Sequence, residues 1–62
     1  MKDATYDLFA VDSDCGPLWL ESISGLENAK RCMEQRAAES PGDYFVYNAR
    51  EGAVVARSQQ VP

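Results

Sequence analysis

A chain of 62 residues with a formal net charge of −4 has room for one domain and little attraction for polyanions, which disfavours non-specific nucleic-acid binding and anionic membrane surfaces. It has no histidine and two cysteines, so a four-ligand zinc site of the usual Cys/His type is excluded and at most one disulfide can form. Domains this short bury only about 60% of their unfolded surface and lean on disulfides, metals or oligomerisation; self-association is the support these residues leave standing.

Residues 1–62 read as a single domain. No apolar run approaches the ~20 residues needed to span a bilayer. The stretch Met1 to Asp7 is polar and has no secretory h-region, so with Cys15 and Cys32 read as free thiols the expected setting is cytoplasmic. The first strand runs over residues 5–11, where Thr, Tyr, Phe and Val favour an extended chain. Asp12-Ser13-Asp14-Cys15-Gly16-Pro17 follows as a turn cluster, and Pro17 belongs at the start of the next strand, 18–23, because it cannot donate to a ladder. Ser24-Gly25-Leu26-Glu27 has capping-box spacing and opens a helix over about 25–39. Leu26, Ala29, Met33 and Ala37 make one narrow apolar stripe on it, and the remainder is charged. Ser40-Pro41-Gly42 ends the helix, with Pro-Gly suited to the centre of a type II turn. A third strand covers 43–48, a tight connection places Gly52 at positive φ, and a fourth strand covers 53–57. Ser58 to Pro62 carries little to hold it in place.

The order is therefore β-β-α-β-β, an α+β fold whose four-stranded, mainly antiparallel sheet carries one helix on one face. The strand order stays open.

The run Leu18-Trp19-Leu20, then Leu26-Glu27-Asn28-Ala29, then Pro41-Gly42-Asp43-Tyr44-Phe45-Val46-Tyr47 with Gly52 following, resembles small bacterial ββαββ proteins known chiefly as uncharacterised families. The resemblance implies the fold and a bacterial origin, and it brings no catalytic or binding residue with it.

Little in the chain points to catalysis. A serine or cysteine nucleophile needs a base, most often histidine. Cys32 lies beside the helix stripe as a small hydrophobe, and Cys15 sits among Asp12 and Asp14, which disfavour its thiolate. Asp12-Ser13-Asp14 opens like an EF-hand loop, but Gly16, Pro17 and Ile23 fall where a ligand, the glycine and the bidentate Glu belong, so an Asx-type turn is expected there. No catalytic, cofactor-binding or metal-ligating residue is assigned. Asp7 and Glu21 are the carboxylates that two neighbouring strands could bring together.

The informative feature is that every strand carries large apolar side chains on both faces. Tyr6, Leu8 and Ala10 oppose Phe9 and Val11; Leu18 and Leu20 oppose Trp19; Tyr44 and Val46 oppose Phe45 and Tyr47. One helix covers one face, so the other needs a partner or sits in water. Two assignments satisfy the alternation. In one, Phe9, Val11, Trp19, Ile23, Phe45 and Tyr47 are left uncovered. In the reverse, Trp19 and Phe45 lie under the helix and Leu18, Leu20, Tyr44 and Val46 are left outside. The first leads to an interface of Phe9, Val11, Trp19, Phe45 and Tyr47. On this reading the chain is a small non-enzymatic interaction module, a homodimer joined by sheet faces or edges, with an unidentified protein as a further possible partner. The alternative is a sheet platform that stacks single-stranded nucleic acid or a small aromatic molecule, since Tyr44-Phe45-Val46-Tyr47 echoes the aromatic strand of RNA-recognition domains. Asp43 stands where that motif wants a cation, and Lys2, Arg50 and Arg57 are too few to line a groove.

Overall fold

The computed structural model describes residues 4–58. Its elements are β1 (Thr5–Asp12), β2 (Gly16–Ser24), α1 (Leu26–Glu39), β3 (Asp43–Asn48) and β4 (Ala53–Arg57). They form one open sheet in the order β2-β1-β3-β4, antiparallel at every pairing, with α1 lying chiefly over β1, β2 and β3. The fold is α+β, as the sequence implies. Strand β1 is central because it pairs with both β2 and β3, so β2 and β3 run parallel to one another with β1 between them.

The core is small. Leu8, Val46, Ala29, Met33 and Tyr44 are buried, and Tyr6, Ala10, Leu20, Ile23, Cys32, Ala37, Val55 and Ala56 pack around them. The first assignment of faces is therefore the one adopted: Leu20, Tyr44 and Val46 lie beneath the helix. Ile23 departs from it and joins the core. The cause is a β-bulge in β2. Leu8 pairs with Glu21 and Phe9 with Trp19, so Leu20 is an extra residue and the two-residue alternation slips by one. Beyond the bulge Ile23 pairs with Tyr6 on the helix side, while Trp19 before it stays on the other.

Three local expectations are corrected by the backbone. The helix N-cap is Gly25, not Ser24, and no side chain caps it. Ser24 is still in the ladder opposite Thr5, and Gly25 turns the chain with φ 88° while its N–H donates to the Ala4 carbonyl at 2.8 Å. Asn28 Nδ2 donates instead to the Ser24 carbonyl at 3.1 Å. Secondly, Gly42 does not adopt the positive φ of a type II turn; Gly16, Gly25 and Gly52 do. The helix stops because Ser40, ahead of Pro41, becomes extended, and its carbonyl accepts the Tyr44 hydroxyl at 2.6 Å. Thirdly, Ser58 is held: its N–H donates to the Tyr44 carbonyl and its Oγ accepts the Tyr44 N–H, both at 2.9 Å. The rest of that tail, Gln59 to Pro62, and the opening Met1 to Asp3 lie outside the described residues.

Gly52 takes positive φ (67°) in the β3–β4 connection, as its position predicts. The Asp12 segment forms an Asx-type turn. Asp12 Oδ1 accepts the N–H groups of Asp14 at 2.7 Å and Cys15 at 3.1 Å, and these two bonds hold its carboxyl below the ordinary aspartate range. A carboxylate whose pKa is lowered by folding stabilises the fold above its unfolded pKa, and that contribution is lost as pH falls through the folded value. Carboxyl NMR titration of Asp12 is accordingly expected to show a midpoint below that of an unfolded reference peptide, and Asp12→Asn to remove that part of the acid sensitivity. A midpoint at or above the reference contradicts this account of the turn.

Candidate functional site: the open face of the sheet

Cross-strand partners share a face, so the register fixes what lies opposite the helix. Three rows run across the sheet there. The first is Ser22, Asp7, Tyr47 and Val54; the second is Trp19, Phe9, Phe45 and Arg57; the third is Pro17, Val11 and Asp43. A second bulge, in β4, makes Val55 the extra residue between Val54 and Ala56, so Val54 and Arg57 both fall on this face although they are three apart.

The middle of the face is aromatic. Phe9 and Phe45 stack with ring centroids 5.0 Å apart and an interplanar angle of 8°, and Tyr47 meets Phe9 edge-on at 6.2 Å and 89°. Both are favoured ring geometries, each contributing about 0.5–1.5 kcal/mol beyond area burial. Trp19 extends this group toward β2 and is 58% exposed. Its indole N–H donates to Asp7 Oδ1 at 3.3 Å, and the same oxygen accepts the Ser22 hydroxyl at 2.8 Å. One carboxylate thus steadies the indole on the surface. Val11 and Val54 add exposed aliphatic surface on either side. All five residues expected at the interface, Phe9, Val11, Trp19, Phe45 and Tyr47, lie together here.

Sequence reasoning weighs Asp7 only beside Glu21 and Arg57 only as one of too few cations, and it passes over Ser22; it assigns none of the three to this face. Counting two back from Phe9 reaches Asp7, so that one was legible. Ser22 and Arg57 lie beyond the bulges, where the count fails.

Elsewhere the described residues keep their carboxylates and thiols apart. Asp7 and Glu21 are on opposite faces: Asp7 is with Trp19 and Ser22, while Glu21 Oε2 accepts from Arg36 Nη2 at 3.0 Å and Nε at 3.2 Å on the helix side. That ion pair is substantially exposed on both sides and contributes under about 1 kcal/mol. Cys15 is an exposed free thiol and Cys32 a half-buried one. Among the described residues no group of three or more Cys, Asp or Glu is placed to hold a metal ion. A groove of about 310 Å³ beside the helix is lined by Lys30, Met33, Glu34, Val55, Ala56 and Arg57. No helix among the described residues is long and apolar enough to cross a membrane.

Comparison with family models, with curated proteins and with solved structures finds no match for this chain. The open face therefore carries the functional reading.

Proposed function

We propose that the chain is a small, non-enzymatic interaction module of a bacterial cytoplasm that forms a homodimer through the open face of its sheet. The observation that carries this is the row of exposed Trp19 and half-buried Phe9 and Phe45, flanked by exposed Val11 and Val54 and half-buried Tyr47, on a sheet whose other face already has its helix. Contiguous apolar surface of this kind marks an interaction site, and aromatic residues dominate interface energetics. Edge-to-edge joining is the weaker route, because bulges in both outer strands, β2 and β4, disturb the ladders a neighbouring chain would extend.

Size sets the expected strength. Four strands and three rows give a footprint of roughly 20 by 20 Å, about 400 Å² per partner. Stable complexes bury about 800 Å² per partner, so the dimer belongs to the weak, concentration-dependent class.

Light scattering from micromolar to millimolar concentration tests this. The wild-type mass is expected to rise toward twice that of the chain, and Trp19→Glu to remain a monomer with unchanged circular dichroism. Because Trp19 is so exposed, the substitution leaves the core intact. If wild type and variant are both monomers at every concentration, self-association is wrong. The aromatic platform is then the reading to pursue, through quenching of Trp19 fluorescence by single-stranded nucleic acid or an aromatic solute. Asp7 and Asp43 on the same face oppose a phosphate backbone, which favours the dimer over that alternative.

A further inference from the structure

The helix lies chiefly over β1, β2 and β3, so the helix side of β4 is flanked by α1 and not covered by it. The groove left between them holds about 310 Å³, at the lower end of the range of small-molecule sites. Lys30, Met33 and Glu34, spaced i, i+3 and i+4, form its helix wall, and Val55, Ala56 and Arg57 form the other. The bulge in β4 shapes that second wall. Because Val55 is the extra residue between Val54 and Ala56, two consecutive apolar residues, Val55 and Ala56, both pack on the helix side. An uninterrupted strand would turn one of them away. Met33 is buried beneath, and its flexible thioether adapts to the shape of an apolar guest.

The rim of the groove is charged against the trend of the chain. The protein carries a net charge of −4, yet the groove has two cations, Lys30 and Arg57, and one carboxylate, Glu34. Lys30 is half-buried, Glu34 and Arg57 are exposed, and Arg57, on the edge strand, borders the open face as well as the groove. Neither Lys30 nor Arg57 forms an ion pair with a described residue; Arg36, on the same helix, is the arginine that pairs with Glu21. We propose that the groove binds a small organic monoanion, a carboxylate on a short apolar chain. The apolar chain lies on Met33, Val55 and Ala56, and the carboxylate meets Lys30 and Arg57. Glu34 reduces the local balance to one positive charge, which matches one negative charge on the ligand and repels a second. The site does not depend on the dimer, because its apolar wall and floor lie on the helix side of the sheet.

Hexanoate is the probe, titrated into isotope-labelled protein at micromolar concentration and followed by the NMR shifts of the backbone amides and the Met33 methyl. Saturable shifts are expected at Lys30, Met33, Val55 and Ala56, with a dissociation constant in the millimolar range. Hexanol, which lacks the charge, and adipate, which carries a second, are each expected to bind about threefold more weakly. Lys30→Gln should weaken hexanoate about threefold, Lys30→Gln with Arg57→Gln about tenfold, and Glu34→Gln should tighten it about twofold. Glutamine is a good helix former, so the substitutions at 30 and 34 leave the helix in place, and circular dichroism checks this. Trp19→Glu, on the other face, is expected to bind hexanoate as the wild type does, so the dimer and this site stand or fall separately. The proposal is overturned if tens of millimolar hexanoate give no saturable shift, or if the shifts centre on Phe9 and Trp19. It is equally overturned if Lys30→Gln binds hexanoate as tightly as the wild type.

Discussion

Leu8→Ala is expected to remove most or all of the protein's stability. Leu8 is 0% exposed, stands on the central strand between Glu21 and Val46, and belongs to the buried cluster with Ala29 and Met33 beneath the helix. Truncating a fully buried leucine to alanine costs about 2–5 kcal/mol, from lost transfer energy and the cavity left behind. A core in a domain of this length rarely supplies more than about 3–5 kcal/mol in total. The two ranges overlap, so urea unfolding followed by far-UV circular dichroism should find the variant largely unfolded at zero denaturant. Val11→Ala provides the contrast on the same strand: at 43% exposure it should shift stability by no more than about 0.5 kcal/mol when measured at monomeric concentrations. Equal losses from the two substitutions would mean that the sheet faces are not divided between core and surface as described.

The next largest effect is expected at Asn48, whose side chain is only 5% exposed at the end of β3. Its Oδ1 accepts the N–H groups of Arg50 at 2.9 Å and Glu51 at 3.3 Å, and its own carbonyl accepts the Gly52 N–H at 2.7 Å. One residue therefore organises the connection that sets β4 against β3. Asn48→Ala deletes the acceptor for two backbone donors and is expected to lower stability by about 1–3 kcal/mol. Asn48→Asp keeps an acceptor in place and should retain most of that stability at neutral pH. The comparison is made by urea midpoint; if alanine and aspartate are equivalent, the turn does not depend on that oxygen.

What the sequence disclosed and what it withheld divide along the distance over which each feature is decided. The Asp12 turn and the positive φ of Gly52 are fixed within a few residues, and both formed as read. So did the helix stripe, where Ala29 and Met33 are buried as their spacing requires. Strand order depends on β1 pairing with residues far along the chain, which no local signal encodes. Ile23 was misplaced because alternation assumes an uninterrupted ladder, and nothing in Leu18-Trp19-Leu20-Glu21 announces that Leu20 is supernumerary. Ser24 fits a capping box by spacing alone; its ladder pairing to Thr5 takes precedence, and Gly25 becomes the cap. The five aromatic and aliphatic residues of the open face were legible because they lie on the unbulged central strands or just before a bulge. Ser22 and Arg57, beyond the two irregularities, were not.

The bulges in β2 and β4 bear on more than the facing of side chains. A sheet with two straight outer strands can be extended at either side, copy after copy, into ribbons without end. Here both outer strands are locally buckled, and the aromatic surface lies on a face rather than along a rim. A contact made there is used up once a second molecule occupies it. The same two extra residues that spoil the alternation thus guard both edges of the sheet against growth into fibres.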